Sequence, residues 1–233
     1  MSGYKKWRRK IGLFYWEWNG KTKTWWYFRK KNWNRFFNWI KGWSASVKAN
    51  PDAIKNAQCL VVCAHPDDET LYFSSVLKEL HPFVICMSNA GSRERVAELN
   101  MALEAQNVTG MVLNMPDVPY MAWLWEVLAP RRLQAIAHQC TNVKTVYTHS
   151  LSGESHHPHH YATGRAVDKV FAGCKIIKTA EQVPLNGSGR LSDEDRERKL
   201  MLLRKCYPSQ IKMLEGWYPW WMDYLEKEFF GES

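Results

Sequence analysis

Four ionisable side chains stand almost together in His65-Pro66-Asp67-Asp68-Glu69, directly after the apolar run Leu60-Val61-Val62-Cys63-Ala64. A second concentration of chemistry lies downstream. Five of the eight histidines fall at 149, 156, 157, 159 and 160, around Ser152-Gly153-Glu154-Ser155-His156-His157-Pro158-His159-His160. Imidazole nitrogen and carboxylate oxygen are good zinc donors, and a hydrolytic zinc site keeps three protein ligands with a fourth position open to water. Two histidines and one carboxylate meet that count. Water on such a metal ionises near pH ~7, and a second carboxylate alongside can take its proton. A lone acid could ligate or act as base but not both; His-Pro-Asp-Asp supplies both roles, with proline stiffening the turn. A lone histidine is more often a hydrogen-bonded core residue than a ligand. Two histidine-bearing strand ends in one sheet, one followed by Asp-Asp, shift that balance towards a metal site.

The elements that must position these groups follow from the hydrophobic pattern. The run before His65 is apolar on both faces and short, as a buried parallel strand should be. Leu71, Phe73, Val76, Leu77 and Leu80 then suggest a helix that Asp67 or Asp68 can cap. Further strands are expected at 83–88, 111–115, 143–148 and 174–178 after a first at 59–64, with helices at about 69–80, 93–106, 122–139 and 161–171. Strands alternating with helices imply an α/β fold, three-layer α/β/α with a mainly parallel sheet. Ligands in such sheets bind beyond the carboxyl ends of the strands. His65 and the segment after 143–148 both fall at that edge. The tail from about Asp193 reads as helical, interrupted at Pro208 and Pro219 and aromatic at Trp217, Tyr218, Trp220 and Trp221.

The 233 residues suit one main domain, and the six cysteines are scattered as in a reduced, cytoplasmic protein rather than a disulfide framework. No apolar run is long enough for a membrane span, and the basic N-terminus lacks the apolar stretch of a secretory leader. Charge is uneven: residues 1–48 carry 13 Lys/Arg against the single acid Glu17, a net of +12, whereas the remainder nets −3. Eight of the 13 tryptophans precede residue 44. We therefore divide the chain into an accessory segment, 1–50, and a catalytic domain, 51–233. Two aromatic runs flanking Asn19-Gly20 suggest a β-hairpin. Trp33, Phe36, Phe37 and Ile40 then define an amphipathic helix with basic residues largely opposite. Packing on the catalytic body is the leading reading of this segment. Docking on an anionic membrane surface through residues 1–48 comes next, and nucleic-acid binding is the least favoured.

Ala64-His65-Pro66-Asp67-Asp68-Glu69 followed by His157-Pro158-His159-His160 resembles the LmbE-like/PIG-L family of zinc-dependent N-acetylglucosaminyl deacetylases. The resemblance runs from about residue 58 onward and includes Arg95-Val-Ala-Glu98-Leu99, Asp117 and Tyr207-Pro208-Ser209-Gln210. It implies a Rossmann-like catalytic domain with one zinc ion per chain. By that resemblance His65, Asp68 and His160 are the metal ligands and Asp67 is the general base. His157 would stabilise the tetrahedral oxyanion and protonate the leaving amine. Arg95 and Asp117 would contact sugar hydroxyls, and Glu69 would orient the metal loop or cap the helix. The chain departs from the family at His159, where the second motif often carries an acid; His149 or His156 could compensate, or could be surface residues.

The implied activity is removal of acetyl from an N-acetylhexosaminyl conjugate. A lipid-linked conjugate would account for an aromatic, basic N-terminus and for a peripheral position at the inner membrane face. A metal-dependent phosphoesterase or nuclease guided by the basic segment is the alternative enzyme class. Such enzymes commonly use two metals about 4 Å apart and more carboxylates. A catalytically silent metal-containing binding module is a third reading, and the presence of a base at Asp67 weighs against it.

Overall fold

A computed structural model describes residues 36–37, 39, 51–118, 121–151, 154, 157–179, 191–211, 228 and 230–232. The expected hairpin, most of the amphipathic helix, His156 and the aromatic tail at 217–221 lie outside the described residues.

Five strands run parallel and a sixth closes one edge antiparallel: β1 (Cys59–Cys63), β2 (Phe83–Ser88), β3 (Gly110–Met115), β4 (Thr145–Thr148), β5 (Lys175–Thr179) and β6 (Phe230–Glu232), in the order β3-β2-β1-β4-β5-β6. The main helices among the described residues are α1 (Pro51–Asn56), α2 (Asp68–Leu80), α3 (Arg93–Ala105), α4 (Ala122–Ala137), α5 (Pro158–Val170) and α6 (Asp193–Cys206). Alternate side chains along a strand face opposite sides, and each side of this sheet has its own core. Val61, Cys63, Val84 and Cys86 pack with Leu77 of α2, Leu103 of α3 and Leu203 of α6. Leu60, Val62, Phe83 and Ile85 pack with Ile54 of α1, Leu133 of α4 and Val167 of α5. The three-layer α/β/α expectation is met. None of the described helices is long and apolar enough to cross a membrane, and all six cysteines are free.

Sheet order reverses at β1, which pairs with β2 on one side and β4 on the other. A crevice opens at such a switch point beyond the carboxyl ends of the strands, and the residues after β1 and β4 meet there. Two differences from the sequence expectation matter for the site. Helix α5 begins at Pro158, three residues early, because Pro158 occupies the first turn and His157 is its N-cap; proline is preorganised for that position. Asp67 holds the N-cap position of α2, yet neither it nor Asp68 caps the helix through its side chain.

Candidate active site

The loop after β1 is fixed from several directions. Ala64 accepts a hydrogen bond from Ser88 Oγ at 2.8 Å and donates its N–H to His149 Nε2 at 3.1 Å. The His65 N–H donates to Asp68 Oδ2 at 2.7 Å. Asp67 adopts φ 112°, a backbone region that costs a non-glycine residue on the order of 1–3 kcal/mol. Its N–H is held by Glu69 Oε2 at 3.0 Å, and its carbonyl accepts the Leu71 N–H at 2.8 Å. Glu69 is fully buried and also accepts from Thr70 Oγ1 at 2.6 Å and the Tyr207 hydroxyl at 2.5 Å. These contacts make Glu69 a brace of the loop.

His65, Asp68 and His160 come together. His65 Nδ1 and His160 Nε2 each lie 3.3 Å from Asp68 Oδ2. Donors about 2.0–2.1 Å from a tetrahedral zinc stand about 3.3 Å apart, so the donor set fits that ion without rearrangement of these pairs. Glu154 completes the arrangement. Its Oε2 accepts from His149 Nδ1 at 2.7 Å and His160 Nδ1 at 2.8 Å, and its Oε1 accepts from the Ser150 N–H at 3.1 Å. Those partners leave His160 Nε2 facing Asp68, the orientation that a carboxylate behind a metal-binding histidine imposes. The two imidazoles stack at 4.0 Å. Gly164 permits this, since a Cβ there would lie 2.6 Å from the His149 carbonyl oxygen. Nothing in the local pattern singles out Glu154, although it sits between the two histidine groups. His149 is fully buried against it rather than at the surface.

The electrostatics separate two adjacent acids. Burial pushes the Asp67 carboxyl well above the ordinary range, with Arg95 opposing and Asp68 and Glu69 adding to the rise. Burial acts on Asp68 in the same direction, but the charge of His160 and hydrogen bonds from His149, His160 and His65 hold it well below that range. His160 responds in kind: burial would lower it, while Asp68 and Glu154 raise it to about 10. The pocket therefore calls for a positive charge between these groups, which a metal ion would supply.

Arg95 reaches Asp67 Oδ1 at 3.0 Å and Glu98 Oε2 at 2.7 Å, and also donates to the Pro66 carbonyl. Burial opposes its charge, yet Asp67 and Glu98 keep its pKa above the ordinary value. The structure thus brings Arg95 against the candidate base. His157 Nδ1 accepts the His159 N–H at 3.3 Å, which assigns the proton of the neutral ring to Nε2. Burial, then the neighbouring His160, His65 and His159, depress its basicity. Asp117 Oδ1 lies 3.6 Å from His65 Nε2, and its Oδ2 accepts from Asn89 Nδ2 at 3.3 Å. His159 is buried, stacks on Trp125 at 4.4 Å, and meets His65 Nε2 at 3.0 Å.

Residues 60–171 match the family model described as PIG-L: GlcNAc-PI de-N-acetylase. The A40926 pseudoaglycone deacetylase Dbv21 is similar in structure, with a TM-score of 0.58 and 16% identity over 76% of this chain and 95% of that one. The zinc-inhibited form of teicoplanin deacetylase Orf2 gives a TM-score of 0.56 at 16% identity over 71% and 89% of the two chains. At such identity the likeness to these structures establishes a shared fold.

Proposed function

With a PIG-L-family domain across residues 60–171 as premise, we propose that the chain hydrolyses the N-acetyl amide of an N-acetylglucosamine-type conjugate, releasing acetate and a free amine. The observation that carries the reading is the meeting of His65, Asp68 and His160 around one point, with Asp67 alongside. These three residues would hold one zinc ion. Bound there, zinc would polarise the amide carbonyl and make a water acidic near pH ~7.

The chain's own groups carry the proton traffic. Asp67, raised in pKa by burial, is a base strong enough to take the proton of the attacking water. Arg95 and the backbone bond to Glu69 keep its carboxylate in place. His157, held neutral with its proton on Nε2, is a hydrogen-bond donor for the oxygen that becomes an oxyanion. Asp67, having taken the proton of the water, is a group that can return it to the leaving amine. Asp117, at the rim beside His65, is placed to accept from a sugar hydroxyl, with Arg95 behind the loop as a second candidate for that contact. Glu154 fixes the orientation of His160.

The test is acetate release from a panel of N-acetylglucosamine conjugates by zinc-loaded protein and by Asp67→Ala. We expect deacetylation by the parent and a loss of about 10²–10⁴-fold in the variant with zinc content unchanged. A variant that keeps its zinc and works near the parent rate would rule out Asp67 as the base.

A further inference from the structure

The His65 ring stands between two donor sets, one on each nitrogen. Its Nδ1 faces Asp68 and belongs to the catalytic set. Its Nε2 faces His159 Nδ1 at 3.0 Å and Asp117 Oδ1 at 3.6 Å, and those two atoms lie 3.9 Å apart. His157 joins them: His65, His157 and His159 each offer a ring nitrogen within 4.8 Å of the others. We propose that His65 Nε2, His157, His159 and Asp117 form a second seat for a divalent transition-metal ion, and that filling it inhibits the enzyme.

The separations bracket the roughly 3.3 Å edge of a tetrahedral zinc site. The donors are also braced as metal ligands are. Trp125 stacks parallel to His159 within 9° and is itself fixed by Nε1 donating to the Pro116 carbonyl at 2.8 Å. Asn89 orients Asp117 through the other carboxylate oxygen. His65 and His157 remain partly exposed, so an ion has a way in. Three imidazoles and one carboxylate select zinc, copper or nickel over magnesium or calcium. Binding displaces the proton that His65 Nε2 and His159 Nδ1 share, which passes to solvent, and moves the His157 proton from Nε2 to Nδ1 in exchange for the bond that Nδ1 accepts from the His159 N–H. The two seats use opposite nitrogens of one ring, unlike the pair about 3.5–4 Å apart in two-metal phosphoesterases. Inhibition, which rests on the role proposed above for His157, follows because an ion on that ring removes the donor from the amide oxygen.

The experiment titrates metal-stripped, full-length protein with Co2+, followed by visible absorption and calorimetry. The parent should bind two equivalents, the first tighter than the second. His159→Ala and Asp117→Asn should each bind one, and Asp117→Asn serves should the buried histidine be needed for folding. Asp68→Asn should lose the tighter equivalent and keep the weaker. Retention of both equivalents in Asp68→Asn, with loss of one in His159→Ala, would still support the second seat while removing the catalytic set proposed above. A parent chain that binds a single equivalent, lost in Asp68→Asn, would overturn the second seat and leave the catalytic set standing. Two equivalents that survive both His159→Ala and Asp117→Asn would overturn it as well. Deacetylation by the parent should fall as the second equivalent fills.

Discussion

Arg95 can serve the reaction in two ways, and Arg95→Gln separates them. If it contacts the sugar, its loss raises KM and leaves the pH dependence alone. Its geometry argues for a different effect. Arg95 Nη2 lies 3.0 Å from Asp67 Oδ1, with only 11% and 13% of the two side chains exposed. Breaking one half of a buried pair costs about 3–5 kcal/mol, because the remaining charge is left uncompensated. An acid escapes that cost by holding its proton. At 1.36 kcal/mol per pH unit, the Asp67 carboxyl would rise by roughly 2 to 4 units. The sign is fixed by chemistry: the ionised form is the base, Arg95 favours the ionised form, and its removal extends the protonated, inactive form to higher pH.

The assay is the pH profile of kcat/KM, whose acid limb reports the free enzyme's base. In Arg95→Gln that limb should move upward by about 2 units or more, with activity recovered on the alkaline side. Arg95→Lys retains a charge but not the two-pronged contact with Asp67 and Glu98, so it should lie between. An acid limb that stays put, with the whole loss in KM, would refute the buttress argument and return Arg95 to the sugar.

Three further outcomes follow from the geometry. His157→Asn keeps a good helix N-cap while removing the Nε2–H donor, so kcat should drop by about 10²–10³ with thermal stability nearly unchanged; a matching fall in Tm would mean that the cap was the role. Lys199 and Glu228 form an ion pair at 2.8 Å with 0% and 1% of their side chains exposed. Lys199→Met should cost about 3 kcal/mol, or roughly 6–12 °C in Tm for a domain of this size, read by calorimetry. Removal of residues 1–48, with their net charge of +12, should abolish sedimentation with anionic vesicles if that segment docks on membranes; undiminished binding would end that reading.

Much of the fold could be read from short-range patterns, since β1 and β2 are continuous apolar runs and α2 has a clear apolar stripe. Patterns failed where the stabilising partner is distant. Strand β6 has only three residues and exists through pairing with β5. Phe73 leaves helical geometry inside α2, and the Ser74 and Ser75 N–H groups freed there donate to Glu228, over 150 positions away. The start of α5 was missed because its first turn is proline and histidines, which show no apolar period. The same distinction divides the site. Candidate ligands that cluster in sequence, such as His65 and Asp68, can be picked out by spacing, and the fold brings them together. Glu154 and Tyr207 act by where the fold delivers them, onto His160 and Glu69.

Asp67 and Asp68 show why adjacency in sequence need not mean similarity in role. Two buried carboxylates side by side should repel, and one would ordinarily keep its proton. Here the backbone turns each towards a different partner. The positive φ at Asp67 lets its carboxylate meet Arg95 on one side, while Asp68 turns to three imidazoles on the other. A guanidinium is a permanent charge that cannot give up its proton, so it holds Asp67 without competing for the proton that Asp67 would accept as the proposed base. Imidazoles can surrender theirs to a metal, so they suit the proposed ligand role of Asp68. The cost of the turn, on the order of 1–3 kcal/mol, is offset by the Glu69 and Leu71 bonds to the Asp67 backbone. Exchanging the partners would spoil both functions: an arginine at Asp68 would occupy the metal's place, and histidines around Asp67 would compete for the proton of water.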